Sequence, residues 1–362
     1  MIKKFDLKFS KEEEKDFLRF SKDIISRGFL AESKYVEEFS KRFKDYQLLK
    51  YGVMVGSGTD ALQAAFSSHL SSGDEILIPS NTFVATYIAA DQSKLKIKLT
   101  DVNENDGMID LDVLKKSISK NTKAVCIVHI GGAISNDIFK IKKFCKENKI
   151  LLIEDAAHCV GSSYKGISAG NFGDFGCFSF FPTKTMTTGE GGFVSTQNKK
   201  NFNTLKAIKN FGRTKPIEDW HEIKGYNMKV TEFQAALGLV ELNRIESRVK
   251  KRRSLFEIYL NKLKSKNVEI LNADNFHESS CYKIIMKADK KFIKKVESSF
   301  KDNKISLTGK VYSKQIGQHN AYKNEKTFQN SQKFIENHFC PPLYPELTNE
   351  NIHNVCKILN KL

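Results

Sequence analysis

Between residues 51 and 196, short apolar runs alternate with amphipathic stretches, and this alternation restricts the fold more than any other feature of the chain. The runs at 51–55, 75–79, 96–102, 124–130, 150–154, 175–181 and 192–195 have the length and the β-branched or aromatic content of buried strands. The stretches at 59–70, 83–91, 111–118 and 134–148 carry apolar residues at helical spacing. Strands separated by helices make parallel sheets, because a parallel crossover needs the length a helix supplies. After residue 196 the pattern changes. Residues 231–264 read as one long helix, with Ala235, Ala236, Leu239, Val240, Leu242, Ile245 and Val249 on one stripe. Short strands such as 282–286 then mix with helices such as 292–302 and 349–362. The expected architecture is an α/β large domain over 1–240 with a mostly parallel central sheet. A smaller C-terminal α+β domain over 241–362 is joined to it by the long helix.

Composition removes several function classes. Hydrophobic residues make up 40% of the chain, enough for a sizeable core. No apolar run is long enough to span a bilayer, and Met1 to Phe5 lack an apolar signal core, so a soluble cytoplasmic protein without a membrane partner is expected. The seven cysteines are odd in number, widely spaced and free of any C-x-x-C, which argues against a disulfide framework or a zinc knuckle. The formal net charge is +17, but the lysines are spread along the chain and no groove-reading motif accompanies them. Solvated lysine-rich faces are expected rather than a nucleic-acid partner, and a positive field still gathers anionic substrates.

Three segments carry chemistry. Gly56-Ser57-Gly58-Thr59-Asp60-Ala61-Leu62 joins a strand to a helix. Its small residues allow a sharp turn, and unpaired first-turn N–H groups with the helix dipole suit a phosphate. Ser57 or Thr59 acting only as a helix cap is the plainer alternative. Leu151-Leu152-Ile153-Glu154-Asp155-Ala156-Ala157-His158 ends an apolar strand in two acids, at the carboxyl edge where α/β sheets bind ligands. An acid there serves a metal, a ribose hydroxyl, a protonated ring nitrogen or merely a helix cap. A metal needs more ligands, and His158 alone is near, so no metal site is expected. The third segment, from Gly170 through Cys177-Phe178-Ser179-Phe180-Phe181-Pro182-Thr183-Lys184 to Thr187-Thr188-Gly189-Glu190-Gly191-Gly192, puts a lysine among apolar and small residues. Burial disfavours an ammonium and makes the amine a nucleophile toward carbonyls, whereas a solvated lysine after a strand would do neither.

These segments, together with Gly225-Tyr226-Asn227-Met228-Lys229-Val230-Thr231-Glu232-Phe233-Gln234-Ala235-Ala236-Leu237-Gly238, resemble the sugar aminotransferases of the DegT/StrS type, a branch of the aspartate-aminotransferase (type I) fold. The resemblance spans essentially the whole chain and is strongest at 56–192 and 225–244. It implies pyridoxal 5′-phosphate as cofactor, with Lys184 forming the internal Schiff base and Asp155 pairing with the pyridine nitrogen. It also implies that His158 bonds the phenolic oxygen and Phe83 stacks on the ring. Gly58, Thr59, Asp60 and the Ser179 hydroxyl hold the phosphate, and Asn227 reaches the phosphate of a neighbouring subunit. A homodimer with shared sites follows. Taken singly, Phe83 reads as core, His158 as a structural histidine and Asn227 as a turn or cap residue. Arg213, Lys215, Tyr312 and His319 lie in regions that reach the substrate in relatives. The chain departs from the family pattern at 129–134, at Lys229 and over 308–323, which touch substrate walls more than cofactor.

The implied reaction moves an amino group from L-glutamate to a keto-deoxy sugar linked to a nucleotide. The product is a nucleotide-linked amino sugar for polysaccharide, glycan or antibiotic biosynthesis. A same-fold sugar dehydratase, whose lysine is replaced by histidine, and an aminohydroxybenzoate-type synthase are the alternatives.

Overall fold

The structure, a computed structural model, describes residues 1–215, 220–322 and 326–362. The chain opens with two helices. Helix α1 (Lys11–Arg27) begins with a reciprocal cap, in which Ser10 Oγ accepts the Glu13 N–H and the Glu13 carboxylate accepts the Ser10 N–H. Helix α2 (Lys34–Tyr46) buries Tyr35, Val36, Phe39 and Phe43, a stripe spaced for one helical face.

The alternating region follows as β1 (Tyr51–Val55), α3 (Gly58–His69), β2 (Glu75–Pro79), α4 (Val84–Gln92), β3 (Lys96–Thr100), α5 (Leu111–Ser117), β4 (Thr122–Val128), α6 (Ile138–Glu147) and β5 (Leu151–Asp155). A hairpin of β6 (Ser163–Tyr164) and β7 (Ile167–Ser168) precedes β8 (Phe175–Ser179), β9 (Gly192–Thr196) and α7 (Lys199–Lys209). Seven strands form one sheet in the order β1-β9-β8-β5-β4-β2-β3. Pairing is parallel from β3 across to β8, and β9 alone runs against both neighbours. The expected mostly parallel sheet is therefore present. Helix α6 starts at Ile138 rather than at 134, because Ser135 and Asp137 are used in turns and Asp137 Oδ2 accepts the Leu111 N–H at 3.1 Å.

Helix α8 (Glu232–Lys262) spans 31 residues behind its own capping box of Thr231 and Gln234. The remaining elements are β10 (Glu269–Ile270), β11 (Met286–Lys287), α9 (Lys290–Asp302), α10 (Gln329–Glu336), β12 (His338–Phe339) and α11 (Asn349–Leu359). The strand expected over 282–286 shrinks to β11. Its first residues turn aside to the large sheet, where the Lys283 N–H donates to Gly131 O at 3.0 Å. That detour lays Tyr282 beside the carboxyl ends of the strands.

Both faces of the sheet are covered by apolar side chains. On one face Phe39 and Phe43 of α2 meet Phe178, Phe180 and Phe193, with Phe43–Phe180 and Phe43–Phe193 ring centroids 5.0 and 4.8 Å apart. Edge-to-face rings add roughly 0.5–1.5 kcal/mol each beyond their burial, so this cluster anchors the end of β8. A third cluster joins Ile2, α8, α9 and α11. All seven cysteines are buried and unpaired. Among the described residues no helix is long and apolar enough to cross a membrane.

Candidate active site

Strand β5 delivers two carboxylates to opposite faces, as its alternation requires. Glu154 is enclosed and accepts N–H groups from Gly170, Phe172 and Gly173 at 2.9, 2.8 and 2.7 Å, and its Oε2 lies 3.2 Å from His129 Nε2. It is a structural acid that folds the loop before β8. Asp155 faces a cavity instead. Its Oδ2 accepts from Thr86 Oγ1 at 2.9 Å, its Oδ1 accepts the Ala157 N–H at 3.2 Å, and Thr82 Oγ1 lies 2.8 Å from Thr86 Oγ1. Burial pushes the Asp155 carboxyl up, opposed by the Thr86 hydroxyl, the Ala157 N–H and the nearby Lys184 and His129.

The cavity measures about 400 Å³. It is walled by the turn Ser57-Gly58-Thr59, by Phe83, Asp155, His158, Ser179, Phe181, Thr183, Lys184 and Glu190, and by Tyr282, Lys283, Val311 and Tyr312. The turn is a helix N-terminus: Ser57 Oγ accepts the Asp60 N–H at 3.0 Å, leaving the N–H groups before it without an intrahelical acceptor. Two glycines bring this turn against the sheet. A Cβ on Gly58 would lie 2.7 Å from Ser179 Cβ, and one on Gly192 would lie 2.2 Å from Ser57 O.

The loop carrying Lys184 is pinned at several points. Thr188 N donates to Phe180 O, Thr187 Oγ1 donates to the same carbonyl, and the Thr187 N–H reaches Glu241 Oε2 of α8 at 3.2 Å. Thr187 and Thr188 of the Thr-Thr-Gly-Glu-Gly-Gly run thus hold the loop, while Glu190 of the same run lies on the cavity wall. Lys184 is half-buried, less enclosed than its apolar sequence neighbours suggest, because it lies on the cavity wall. Its ammonium stands 5.3 Å from the Tyr282 ring centroid.

His158 stacks on Tyr282 at 4.3 Å and lies 6.1 Å from the Tyr312 ring. Burial pushes this imidazole well below its usual range, reinforced by Lys184 and Lys283. Its Nδ1 is buried and has no hydrogen-bond partner among the described residues. An orphaned polar atom of that kind costs roughly 1–3 kcal/mol, so the site is built for a group that supplies a partner. Burial pushes the Tyr282 phenol up, but Lys184 and Lys283 outweigh it and hold it below its ordinary value. Tyr312 is pushed well up, by burial and by Asp155.

Phe83 is 62% exposed at the cavity rim, so it is not a core residue. The Asp60 side chain turns off the cavity wall toward Gly56, where a Cβ would meet Asp60 Oδ2 at 2.7 Å, and its backbone N–H is already taken by Ser57. Asn227, Arg213, Lys215 and His319 are not on the wall of this cavity in a single chain. Asn227 is exposed and bridges Asn210, Arg213 is half-buried, Lys215 lies 3.8 Å from Glu222, and half-buried His319 follows a short helical turn at Ile316–Gln318.

The sequence profile of the DegT/DnrJ/EryC1/StrS aminotransferase family matches residues 11–360. The chain belongs to that family. Among the relatives of this DegT-family chain, the GDP-perosamine synthase of Vibrio cholerae is 31% identical over 272 residues, covering 74% of each protein. A GDP-4-keto-6-deoxy-D-mannose 3-dehydratase of Yersinia pseudotuberculosis is 29% identical over 279 residues, 70% of each. The solved structure of PseC from Helicobacter pylori, an aminotransferase involved in the biosynthesis of pseudoaminic acid, superposes with a TM-score of 0.90 at 25% identity, covering 99% of this chain and 98% of that one.

Sequence reasoning about this DegT-family chain missed Tyr282, Lys283, Phe181, Glu190 and the Thr82–Thr86 pair. Phe181 and Glu190 lay within the quoted motif and were legible as neighbours of Lys184. Tyr282 and Lys283 reach the cavity through long-range contacts, Lys283 N–H to Gly131 O and Ser280 Oγ to His158 O among them, for which no local signal exists.

Proposed function

We propose that this chain is a pyridoxal-phosphate-dependent sugar aminotransferase that moves the amino group of L-glutamate to a nucleotide-linked keto-deoxy sugar. The observation carrying the reading is the convergence on one cavity, closed by a helix N-terminus, of Lys184, Asp155 and His158, whose Nδ1 has no hydrogen-bond partner among the described residues. The residues fit the cofactor in kind. Lys184 supplies an amine for its aldehyde, Asp155 a carboxylate for a protonated ring nitrogen, and His158 a partner for the phenolic oxygen. Gly58, Thr59 and Ser179 supply a polar cradle for the phosphate, and Phe83 supplies an apolar face at the rim.

When bound, the cofactor supplies an electron sink for the bond broken at the donor's α-carbon. The chain does the rest. Lys184 would hold the cofactor's aldehyde through its amine, and its Nζ is the base placed to take the proton from the donor α-carbon. Buried Asp155 would hold the cofactor's protonated ring nitrogen, whose charge would keep it a carboxylate, and Thr86 fixes its orientation. The pinned loop keeps Nζ at its station through both halves of the reaction. The acceptor's diphosphate is drawn by a chain of net charge +17.

A homodimer is part of the reading. Asn227, Arg213 and Lys215 lie off their own cavity and on an exposed segment, a position suited to completing a partner's site. The dehydratase relative supports a same-fold alternative, but position 184 here is an amine able to form an imine, which an imidazole is not. Incubation with L-glutamate and a panel of nucleotide-linked keto sugars, followed by product mass, tests the substrate class. Conversion of a keto sugar to its amino sugar is expected. Amination of a cyclic ketone alone would refute it.

A further inference from the structure

A second cavity of about 290 Å³ adjoins the first and shares Thr183, Tyr282, Lys283 and Val311 with it. Its wall brings together four cations, Lys4, Arg252, Lys283 and Lys310, and no carboxylate. Among the described residues each of the three inner cations is held by neutral carbonyls: Arg252 by Cys281, Tyr282 and Leu343, Lys283 by Lys310, and Lys310 by Ile335. None of the four has a salt-bridge partner there. Arg252 is 1% exposed and its Nε has no hydrogen-bond partner among the described residues. Burial, with Arg248 beside it, brings this guanidinium down to about 10, and burial lowers Lys310 too, against Glu297 and Glu336 outside the wall. Arg252 is thus a buried cation whose direct partners are neutral carbonyls, with Glu346 acting on it only from outside the wall, and a buried charge without a carboxylate in contact is costly.

We propose that this cavity is the oxyanion subsite of the active site and takes the distal carboxylate of a dicarboxylate amino donor. The inference rests on the aminotransferase reading above. A donor reacting at Lys184 carries a second carboxylate, and the cationic cavity lies directly behind the Thr183–Tyr282 edge. Those two hydroxyls are 3.4 Å apart, a contact that a side-chain rotation opens. Carboxylate and phosphate oxygens share the chemistry that four cations recognise. The volume favours the carboxylate, because a nucleoside diphosphate exceeds a cavity at the lower limit of small-molecule sites.

The test is calorimetric titration of the cofactor-loaded enzyme with glutarate, which has both carboxylates and no amine. Butyrate, with one carboxylate, and UDP are the comparisons. Glutarate is expected to bind at least about ten-fold tighter than butyrate, and Lys310→Met to lose about ten-fold of the glutarate affinity. Lys4→Ala, at an exposed position, gives a fold-neutral second variant with a several-fold loss expected. Equal binding of glutarate and butyrate, glutarate binding indifferent to both variants, or a loss confined to UDP would overturn the assignment. Borohydride fixation of cofactor at Lys184 is scored on the same preparation. With the tether present and glutarate binding unselective, this inference alone fails. With no tether, the aminotransferase reading fails first.

Discussion

At the residue scale the site depends on how one strand divides two neighbouring acids. Glu154 is consumed by three backbone N–H groups and His129, whereas Asp155 meets one hydroxyl and one N–H and is left facing the cavity. Asp155→Asn keeps the shape and removes the charge. It should slow turnover by about 100-fold or more and weaken cofactor retention, which steady-state kinetics and equilibrium dialysis read separately. Lys184 and Asp155 were legible in the sequence because each sits in an unbroken local motif. Tyr282 was not, because its position is set by a contact across about 150 residues of chain. Asp60 shows the opposite limit. The motif places it beside the phosphate turn, yet helix capping claims its N–H and its side chain points away.

At the scale of elements, the seven strands of the large sheet were readable as apolar runs with errors of one or two residues, while β6, β7, β10, β12, α1, α2, α7 and α10 were not read and β11 was read four residues early. Helix α1 carries an apolar stripe in Phe17, Phe20 and Ile24, of which only Ile24 is fully buried. Helix α2 did carry a signal in Tyr35, Val36, Phe39 and Phe43, which becomes decisive only once these rings meet the end of β8. Truncating Phe180→Ala should cost about 3–5 kcal/mol, measured by denaturant unfolding, since Phe39 and Phe43 both lose an edge-on ring neighbour. Helix α10 is tied to the segment bearing Tyr312 through His338, whose Nδ1 lies 2.6 Å from Phe334 O and whose Nε2 accepts the Val311 N–H at 3.0 Å. Burial holds this imidazole down at about 4. The unfolded chain therefore takes up the proton first as pH falls. The contribution is whole above pH ~6.5 and is lost toward pH ~4, a total of about 3 kcal/mol. His338→Gln should flatten that part of the stability–pH curve, measured as the wild-type minus variant difference across the window.

At the scale of the whole molecule, one chain furnishes the cavity while Asn227, Arg213 and Lys215 lie outside it. If two chains complete each other's sites, Lys184→Ala and Asn227→Ala subunits, each inactive or weak alone, should recover activity when mixed and re-associated. Random pairing makes half the dimers mixed, each with one intact site, so about a quarter of wild-type activity is expected in the assay. No recovery would place each site within one chain. The account as a whole depends on a covalent bond between Lys184 and a cofactor aldehyde. Borohydride reduction of the purified protein, proteolysis and mass spectrometry of the peptide containing residue 184 read that bond directly. The account predicts a pyridoxyl-phosphate adduct on Lys184 that pre-treatment with L-glutamate diminishes. An unmodified Lys184 peptide from protein saturated with the cofactor would contradict it.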